Sequence, residues 1–381
     1  MTPRLFSILR GDAPRHVALS ETGRANRAFG AALAGFYADR ALLLWSVVWL
    51  GIRWARWQDL AARPAVLYEP ETWLAALVFP APPSAAAWYA AFAVCALAIA
   101  ACWRRPRLVA ARLVLATSVL LLMSTEFTFG KIEHTNHLFL LAHTFALFLP
   151  VGRPETVAEA SLQAWTDAWY RAALLFPYMI AGLWKWVDMT VRQVLKPGLT
   201  WLHPDALPIS TLYTYRIYDL PLDAPAALAP FGPVYVIGYV GIALVFAAAS
   251  VAAFRRPLLP LVLLTIIAFH LTNVLTLYVH FVTTCAVALV LFFPYERVVP
   301  AIRRSLTTPT ATVFDGAGAA ARYRRHYANG DVDCFEGFYA YRERLADRAW
   351  LRAVPLYYPG LAALATWVLQ RRQPSASQTN A

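Results

Sequence analysis

The sequence predicts an all-α integral membrane protein: a transmembrane helix bundle of about eight spans with a short cytoplasmic C-terminal tail. Two observations predict it. The mean hydropathy is +0.48 and only 15% of the 381 residues are charged, whereas soluble domains carry about 25% charged residues. The apolar residues also fall in long runs. A run of about 18 or more residues is typical of a helix that crosses a bilayer core about 30 Å thick.

The predicted spans follow the apolar runs along the chain. The first ends in LLLWSVVWLGI, the second is SAAAWYAAFAVCALAIAACW, and the fourth, NHLFLLAHTFALFLP, is short for a full crossing. Trp and Tyr residues gather at many of the run ends, as they do at membrane interfaces. The predicted boundaries are about 30–52, 84–103, 108–127, 136–150, 170–187, 232–254, 257–276 and 280–294.

The arginines between the runs predict the orientation. With eight spans, the arginine-bearing connections after spans two, four, six and eight fall on one side, together with Arg24 and Arg27. Because short cytoplasmic loops are enriched in Lys and Arg, we expect a multi-pass plasma-membrane protein with both termini in the cytoplasm. Arg53, Arg56 and Arg63, near the first outer loop, oppose this orientation but are outnumbered. The net charge of +12 is then explained by topology and contact with membrane lipid, and no nucleic-acid partner is predicted.

Three segments divide the chain: a cytoplasmic N-terminal segment (1–27), a transmembrane domain (28–297) and a mostly polar cytoplasmic tail (298–381). The Pro-rich outer segment 188–229 is too long for a tight turn, and we expect it to cover the outer mouth of the bundle. Prolines interrupt the apolar stretch 350–370 of the tail, which favours a packed or interfacial segment over a ninth span.

Polar residues within or beside the apolar runs are the candidate functional residues, because an ionisable group inside a membrane costs several kcal/mol. The first group lies in FGKIEHTNHLFLLAHTF, at the outer end of span four. Its members are Lys131, Glu133, His134, Asn136 and His137. On a helix, His134 and His137 share one face. The alternative interpretation is a solvated turn at the outer interface.

The second group is Lys185 in IAGLWKW, and the third is FHLTN in span seven, with His270 and Asn273 on one helix face. Burial in an apolar pocket favours the neutral amine of a lysine, which makes Lys185 a candidate base. Two alternatives stay open: a lysine that snorkels to the interface, and a His–Asn pair that clamps two helices by a hydrogen bond. All three groups lie in the outer half of the bilayer, which favours one shared site.

A metal site is not predicted. HTNH is one histidine-rich motif, whereas membrane di-iron enzymes need several. His143 and His270 are candidate axial ligands for a haem, but lysine and asparagine are not useful haem ligands, so haem is the weaker alternative.

HTNHLFLL, IAGLWKW and FHLTN, in this order, resemble motifs of the vitamin K-dependent γ-carboxylase family and of the wider HTTM (horizontally transferred transmembrane) domain. The resemblance covers about residues 30–297. In that family an Asn-His pair opens a membrane helix, which Asn136 and His137 match. A lysine follows an Ala-Gly on the next helix, which Lys185 matches. A later helix carries Phe-His-x-x-Asn, which the segment around His270 matches.

The resemblance implies an enzyme that uses a reduced quinone, a vitamin K-like hydroquinone. In the family the lysine, as a free amine, deprotonates the hydroquinone. Reaction with oxygen then yields a strong base that removes a γ-proton from a protein glutamate, and the carbanion takes up carbon dioxide. The resemblance implies Lys185 as the catalytic base and His137 as its proton partner. The residues expected to bind or orient the lipophilic substrate are Asn136, His134, Lys131, His270 and Asn273.

Two departures from the family pattern bear on substrate recognition. The carboxylase has a large lumenal domain that binds its substrate's propeptide, whereas this chain has a short tail. The residue before the lysine is Trp184, where the family often has a second lysine. Two other classes of function therefore stay open. One is a membrane protein that binds or transports a lipid or small molecule without catalysis, and the other is an assembly protein whose histidines are clamps.

The segment ATVFDGAGAAARYRR in the tail resembles the start of a DCC thiol-oxidoreductase domain, whose pattern is a strand, then DG, then CxxC. Gly318 and Ala321 stand where the cysteines belong, and Cys334 alone does not replace them. Because dithiol redox chemistry needs the pair, the resemblance implies a degenerate module with a structural role.

Overall fold

The computed structural model describes residues 17–129, 134–149, 152–192 and 201–357, with isolated positions at 195 and between 361 and 368. The chain is mostly helical there. The strands are β1 (Val17–Ala18), β2 (Ala311–Asp315), β3 (Arg322–His326) and β4 (Val332–Glu336). The helices are α1 (Glu21–Ala61), α2 (Trp73–Val78), α3 (Ala85–Arg104), α4 (Val109–Phe127), α5 (His137–Phe145), α6 (Val157–Val187), α7 (Ala206–Ile217), α8 (Asp223–Leu228), α9 (Gly232–Ala247), α10 (Ala249–Ala252), α11 (Leu259–Leu277), α12 (Val282–Phe292), α13 (Tyr295–Val298), α14 (Pro300–Arg304) and α15 (Phe338–Ala353).

Four helices within the described ranges are long and apolar enough to cross a membrane, which indicates a membrane protein. They are Glu21–Ala61, Ala85–Arg104, Val109–Phe127 and Arg256–Leu277. These coincide with predicted spans one, two, three and seven. The helices at the other four predicted spans do not reach this length and hydropathy: α9 and α12 are apolar but shorter, α5 has nine residues, and α6 is long but carries charged residues.

Side-chain caps fix where several helices begin. The Ser20 hydroxyl accepts the Gly23 amide at the start of α1, and the Ser84 hydroxyl accepts the Ala87 amide at the start of α3. Thr156 does the same for α6. Each cap satisfies an amide that has no partner inside the helix and contributes about 1 kcal/mol.

Helices α1 and α6 form the centre of the bundle. α6 packs against α1, α5, α9 and α10, while α1 also packs against α3 and α12. Large side chains fill the interior between them, including the fully buried Trp49, Trp88 and Phe246. The stacked rings of Trp57 and Trp88, 4.2 Å apart, join α1 to α3.

Buried charged residues within the helices are paired, as burial requires. Asp39 of α1 and Arg112 of α4 form a two-point ion pair with distances of 2.6 and 2.7 Å, and both side chains are 3% exposed. Arg171 lies inside α6, 3.2 Å from Asp167. Arg171 lies four positions after Asp167, on the same face of α6.

The helix ends gather into two groups. At one end, Asn26 exchanges two hydrogen bonds with Thr307, and Arg256 donates to the Ala31 carbonyl at 2.7 Å. This end holds the starts of α1 and α6, the connection from α10 to α11, and the segment after α12.

The opposite end of the bundle holds the remaining connections. Tyr215 of α7 donates to the Leu275 carbonyl at 2.8 Å, and Thr284 donates to the Thr135 carbonyl at 2.8 Å. The described part of the predicted outer segment, 201–229, lies at this end and packs against α11. Successive connections along the chain therefore alternate between the two ends.

A four-stranded antiparallel sheet with the order β1-β4-β3-β2 corrects the prediction that the whole chain is all-α. β3 and β4 form a hairpin whose turn contains Asn329 and Gly330, with a φ of +87° at Gly330. An Asn-Gly pair between alternating apolar and polar residues is a strong hairpin signal. The flanking residues of the tail are mostly polar, so this alternation is weak in the sequence. The implied likeness to a DCC module stays a prediction.

The sheet joins the N-terminal segment to the tail. β1 pairs with β4, and Asp333 of β4 accepts hydrogen bonds from both the amide and the hydroxyl of Ser20, at 2.9 and 2.8 Å. Tyr327 donates to the same carboxylate, which is 1% exposed. A Cβ at Gly23 would lie 2.7 Å from the Asp333 carboxyl carbon. The tail therefore sits directly on the start of α1.

Replacing Asp333 by Ala is expected to detach the sheet from α1, because it leaves three donors without an acceptor. The expected cost is about 2–3 kcal/mol of local stability. Hydrogen–deuterium exchange of residues 17–24 measures it. Asp331→Ala is the matched control, since Asp331 accepts the neighbouring Thr22 amide at 2.9 Å from a position that is less buried than that of Asp333. Equal exchange rates in the two variants would contradict the conclusion that Asp333 attaches the sheet to α1.

Candidate functional site

Asn136 lies at the start of α5 in a fully buried polar network. Its Oδ1 accepts hydrogen bonds from Trp49 Nε1 at 3.2 Å and from Arg53 at 3.3 Å. Arg53 in turn forms an ion pair with Glu126 of α4. The Asn136 Nδ2 amide has no hydrogen-bond partner among the described residues. Asn136 thus connects three helices, α1, α4 and α5.

His137 and His134 lie beside Asn136, nearer the surface. Their Nδ1 atoms are 3.3 Å apart, and the half-buried His137 ring also lies 6.2 Å from the Phe127 ring. The expectation that an Asn-His pair opens a helix agrees with the start of α5 at His137. Lys131 and Glu133, predicted to belong to the same group, lie outside the described residues.

Lys185 lies near the end of α6 among aromatic rings. Its Nζ is 5.4 Å from the centre of the Tyr239 ring and 5.6 Å from that of Phe269. Such distances are typical of cation–π contacts. Gly182, one turn earlier, permits the close approach of α6 to α9 that brings Tyr239 over the amine, since a Cβ there would lie 2.7 Å from the Phe246 carbonyl carbon.

His270 lies in α11 and is 5% exposed. Its Nε2 and the Tyr178 hydroxyl of α6 form a hydrogen bond of 3.0 Å, and its ring lies 4.3 Å from the Phe281 ring. Its Nδ1 has no partner in the described part of the chain. Asn273 lies one turn further on, where its backbone carbonyl accepts the amides that end α11.

The predicted residues therefore form two groups at the same end of the bundle. Lys185 and His270 both contact Phe269, whereas no hydrogen bond, ion pair or ring contact within the described ranges joins either of them to Asn136 or His137. The start of α12 separates the groups: Phe281 contacts His270, and one turn later Thr284 donates to the carbonyl beside Asn136.

Sequence reasoning missed the partners of these residues. Arg53 and Glu126 carry opposite charges near the ends of predicted spans one and three, and that complementarity is a signal for an ion pair between neighbouring helices. Tyr178 and Tyr239 gave no such signal. Tyrosine is common at the ends of membrane helices, and only the helix packing shows which tyrosine faces Lys185.

A cavity of about 1140 Å³ lies at the opposite end of the bundle, between the helices and the sheet. It is lined by the starts of α1 and α6, the connection from α10 to α11, the segment after α12, and α15. None of the predicted site residues that the structure describes lines it. No sequence pattern indicates this cavity, because its walls come from five distant segments.

The sheet-side wall of this cavity is a charged network. Glu343 contacts Arg325 at 3.1 Å and Arg342 at 3.0 Å, and accepts a hydrogen bond from Tyr357 at 2.9 Å. Burial alone would raise the pKa of Glu343, but Arg342 and Arg325 hold it below its usual range. Burial alone would lower the pKa of Arg325, but Asp347 and Glu343 raise it. Both side chains therefore stay ionised at neutral pH.

The described side chains contain no group of three or more His, Cys, Asp or Glu residues placed to hold a metal ion. Aromatic rings lie around Lys185 and His270, and the Nδ1 of His270 has no partner among the described residues.

Comparison of this chain with family models, with curated proteins and with solved structures gave no match.

Proposed function

We propose that the chain crosses the plasma membrane eight times, with both termini in the cytoplasm, and has the HTTM-like architecture that its motifs resemble. The alternation of connections between the two ends of the bundle supports this proposal. So do large apolar side chains on the bundle surface, such as Leu44, Leu97 and Leu264, which are 58%, 70% and 64% exposed. Apolar surface of this kind is typical of helices that face lipid.

The proposed function is enzymatic: Lys185 takes a proton from a hydroxyl of a bound hydroquinone at the outer end of the bundle. The single observation that carries it is the surroundings of the Lys185 amine, which lies against two aromatic rings and has no carboxylate within ion-pair distance among the described residues. Apolar surroundings that exclude water favour the neutral form of a lysine, and the neutral amine is the form that can accept a proton from an acidic hydroxyl.

The same cluster fits an aromatic ligand. Rings of Tyr239, Phe269 and Tyr178 offer faces on which a second ring can pack at the distances that aromatic pairs prefer. The unpartnered Nδ1 of His270 offers a hydrogen bond to a hydroxyl or carbonyl of that ligand. His270, which shares Phe269 with the lysine, is better placed than His137 to assist Lys185. Carboxylation of a protein glutamate enters the proposal only through the family resemblance.

Binding without catalysis is the second candidate, and one observation favours it. Asn136, which the resemblance assigns to the substrate, is already bonded to Trp49 and Arg53. A lipophilic molecule held between the rings would then be a bound or transported ligand.

Lys185→Met is expected to lower the rate of hydroquinone consumption by at least about 100-fold, because it removes the base and keeps the length of the side chain. The measurement uses the full chain in lipid nanodiscs with vitamin K1 hydroquinone in air, followed by mass spectrometry. Trp184→Ala is the control, since Trp184 is 70% exposed and adjacent.

The outcomes separate the two candidates. A Lys185→Met protein that turns over the hydroquinone as fast as wild type would overturn the base assignment. Wild-type protein that binds the hydroquinone without consuming it would establish the second candidate. Absence of binding would exclude both.

A further inference from the structure

The cavity between the bundle and the sheet has two kinds of wall. One wall is aromatic: Trp165, Trp169 and Phe254 contact one another with ring centres 4.9 to 5.9 Å apart. The two indoles are nevertheless 41% and 53% exposed. Exposed tryptophans at a helix end are typical of the membrane–water interface, where an apolar ring meets polar groups.

The other wall carries arginines, three of which have no carboxylate partner within the described part of the chain. Arg325 and Arg342 are paired with Glu343, as described above. Arg297, Arg303 and Arg348 also line the cavity, yet within the described residues none of the three lies within 4.0 Å of a carboxylate. Three unpaired guanidinium groups around one cavity form an environment that favours an anion, and guanidinium groups bind phosphate oxygens in a two-point geometry.

The volume distinguishes a small anion from a larger molecule. Pockets for drug-sized ligands have volumes of about 300–1,000 Å³, so a cavity of about 1140 Å³ is far larger than a free phosphate needs. The aromatic wall would also have no role in binding inorganic phosphate.

We propose that this cavity is a binding site for an anionic phospholipid, whose phosphate contacts Arg297, Arg303 and Arg348 and whose first acyl carbons pack on Trp165 and Trp169. Because α1 and α6 begin at this site and β4 caps α1, the lipid would hold the tail against the bundle. The site lies at the opposite end of the bundle from Lys185, so it does not depend on the proposed enzymatic function.

The test is native mass spectrometry of the full chain in detergent, with added phosphatidylglycerol or phosphatidylcholine of identical acyl chains. We expect at least about tenfold tighter binding of phosphatidylglycerol, and about a tenfold loss of that preference in Arg303→Gln/Arg348→Gln. Arg104→Gln/Arg105→Gln is the matched control. It removes the same amount of charge, and both exposed arginines lie outside the cavity. All four positions are exposed, so folding is expected to survive, which thermal unfolding checks.

Three results would overturn the proposal. The first is equal binding of the two lipids by wild type. The second is an equal loss in the cavity variant and the control variant, which would indicate attraction by net charge only. The third is displacement of phosphatidylglycerol by millimolar inorganic phosphate, which would assign the site to free phosphate.

Discussion

Arg53→Met is expected to lower the free energy of unfolding by about 3–5 kcal/mol, because it leaves the buried Glu126 carboxylate without this cation. The two side chains are 4% and 6% exposed. The substitution also removes one of the two donors to Asn136 Oδ1. Thermal and denaturant unfolding of the protein in detergent micelles measures the change. Arg104→Met is the control, since an exposed arginine at a helix end is expected to contribute much less.

The double variant Arg53→Met/Glu126→Leu distinguishes two effects: the loss of the ion pair itself, and the cost of leaving one buried charge without its partner. Replacing both partners by apolar residues is often neutral, so we expect the double variant to recover most of the stability. If the double variant is as unstable as the sum of the single variants, the two residues are not coupled. In that case the ion pair between Arg53 and Glu126 does not stabilise the packing of α1 on α4.

Gly182→Val is expected to be the second most damaging substitution. A Cβ at this position would lie 2.7 Å from the Phe246 carbonyl carbon, which is backbone and cannot turn aside as a side chain would. Overpacking of this kind costs about 1–3 kcal/mol or more, and it pushes α6 away from α9. We expect a lower unfolding temperature and a loss of hydroquinone binding, because Lys185 lies one turn further along α6.

Gly238→Ala and Gly241→Ala provide the matched controls for Gly182. Both glycines lie in α9, and a Cβ at either position has no atom within 4 Å. Alanine is the better helix former by about 1 kcal/mol, so these variants are expected to be neutral or slightly stabilised. A Gly182 variant that behaves like them would show that α6 and α9 do not approach closely at this point.

Much of the helical architecture was readable in the sequence. The ends of the apolar runs lie within a few residues of the observed ends of α3 and α4, because a continuous apolar run leaves few other ways to satisfy its backbone in lipid. The first helix was predicted too short. It begins at Glu21, directly after its N-cap Ser20, which is a local signal. Asp333, 313 residues away, binds Ser20, and no local pattern could reveal that contact.

Individual site residues were partly predictable. Each of Asn136, Lys185 and His270 stood out because polar groups in an apolar run are rare, and all three lie at one end of the bundle. Their partners were not predictable from spacing, because helix rotation decides which faces meet. The observed rotations place Asn136 within hydrogen-bond distance of Trp49 and Arg53, and His270 within hydrogen-bond distance of Tyr178.

By itself, the sequence determined where the apolar runs lie, that several of them form helices apolar enough to cross a membrane, and which polar residues within them require an explanation. Hydropathy and charge are local properties of the chain, and they decide which segments are stable within a bilayer. Only the tertiary structure decided that the polar residues form two groups, that the tail is a sheet docked on the first helix, and that a basic and aromatic cavity lies between them. These features arise from contacts between distant segments, whose geometry depends on helix packing and not on any single run of residues.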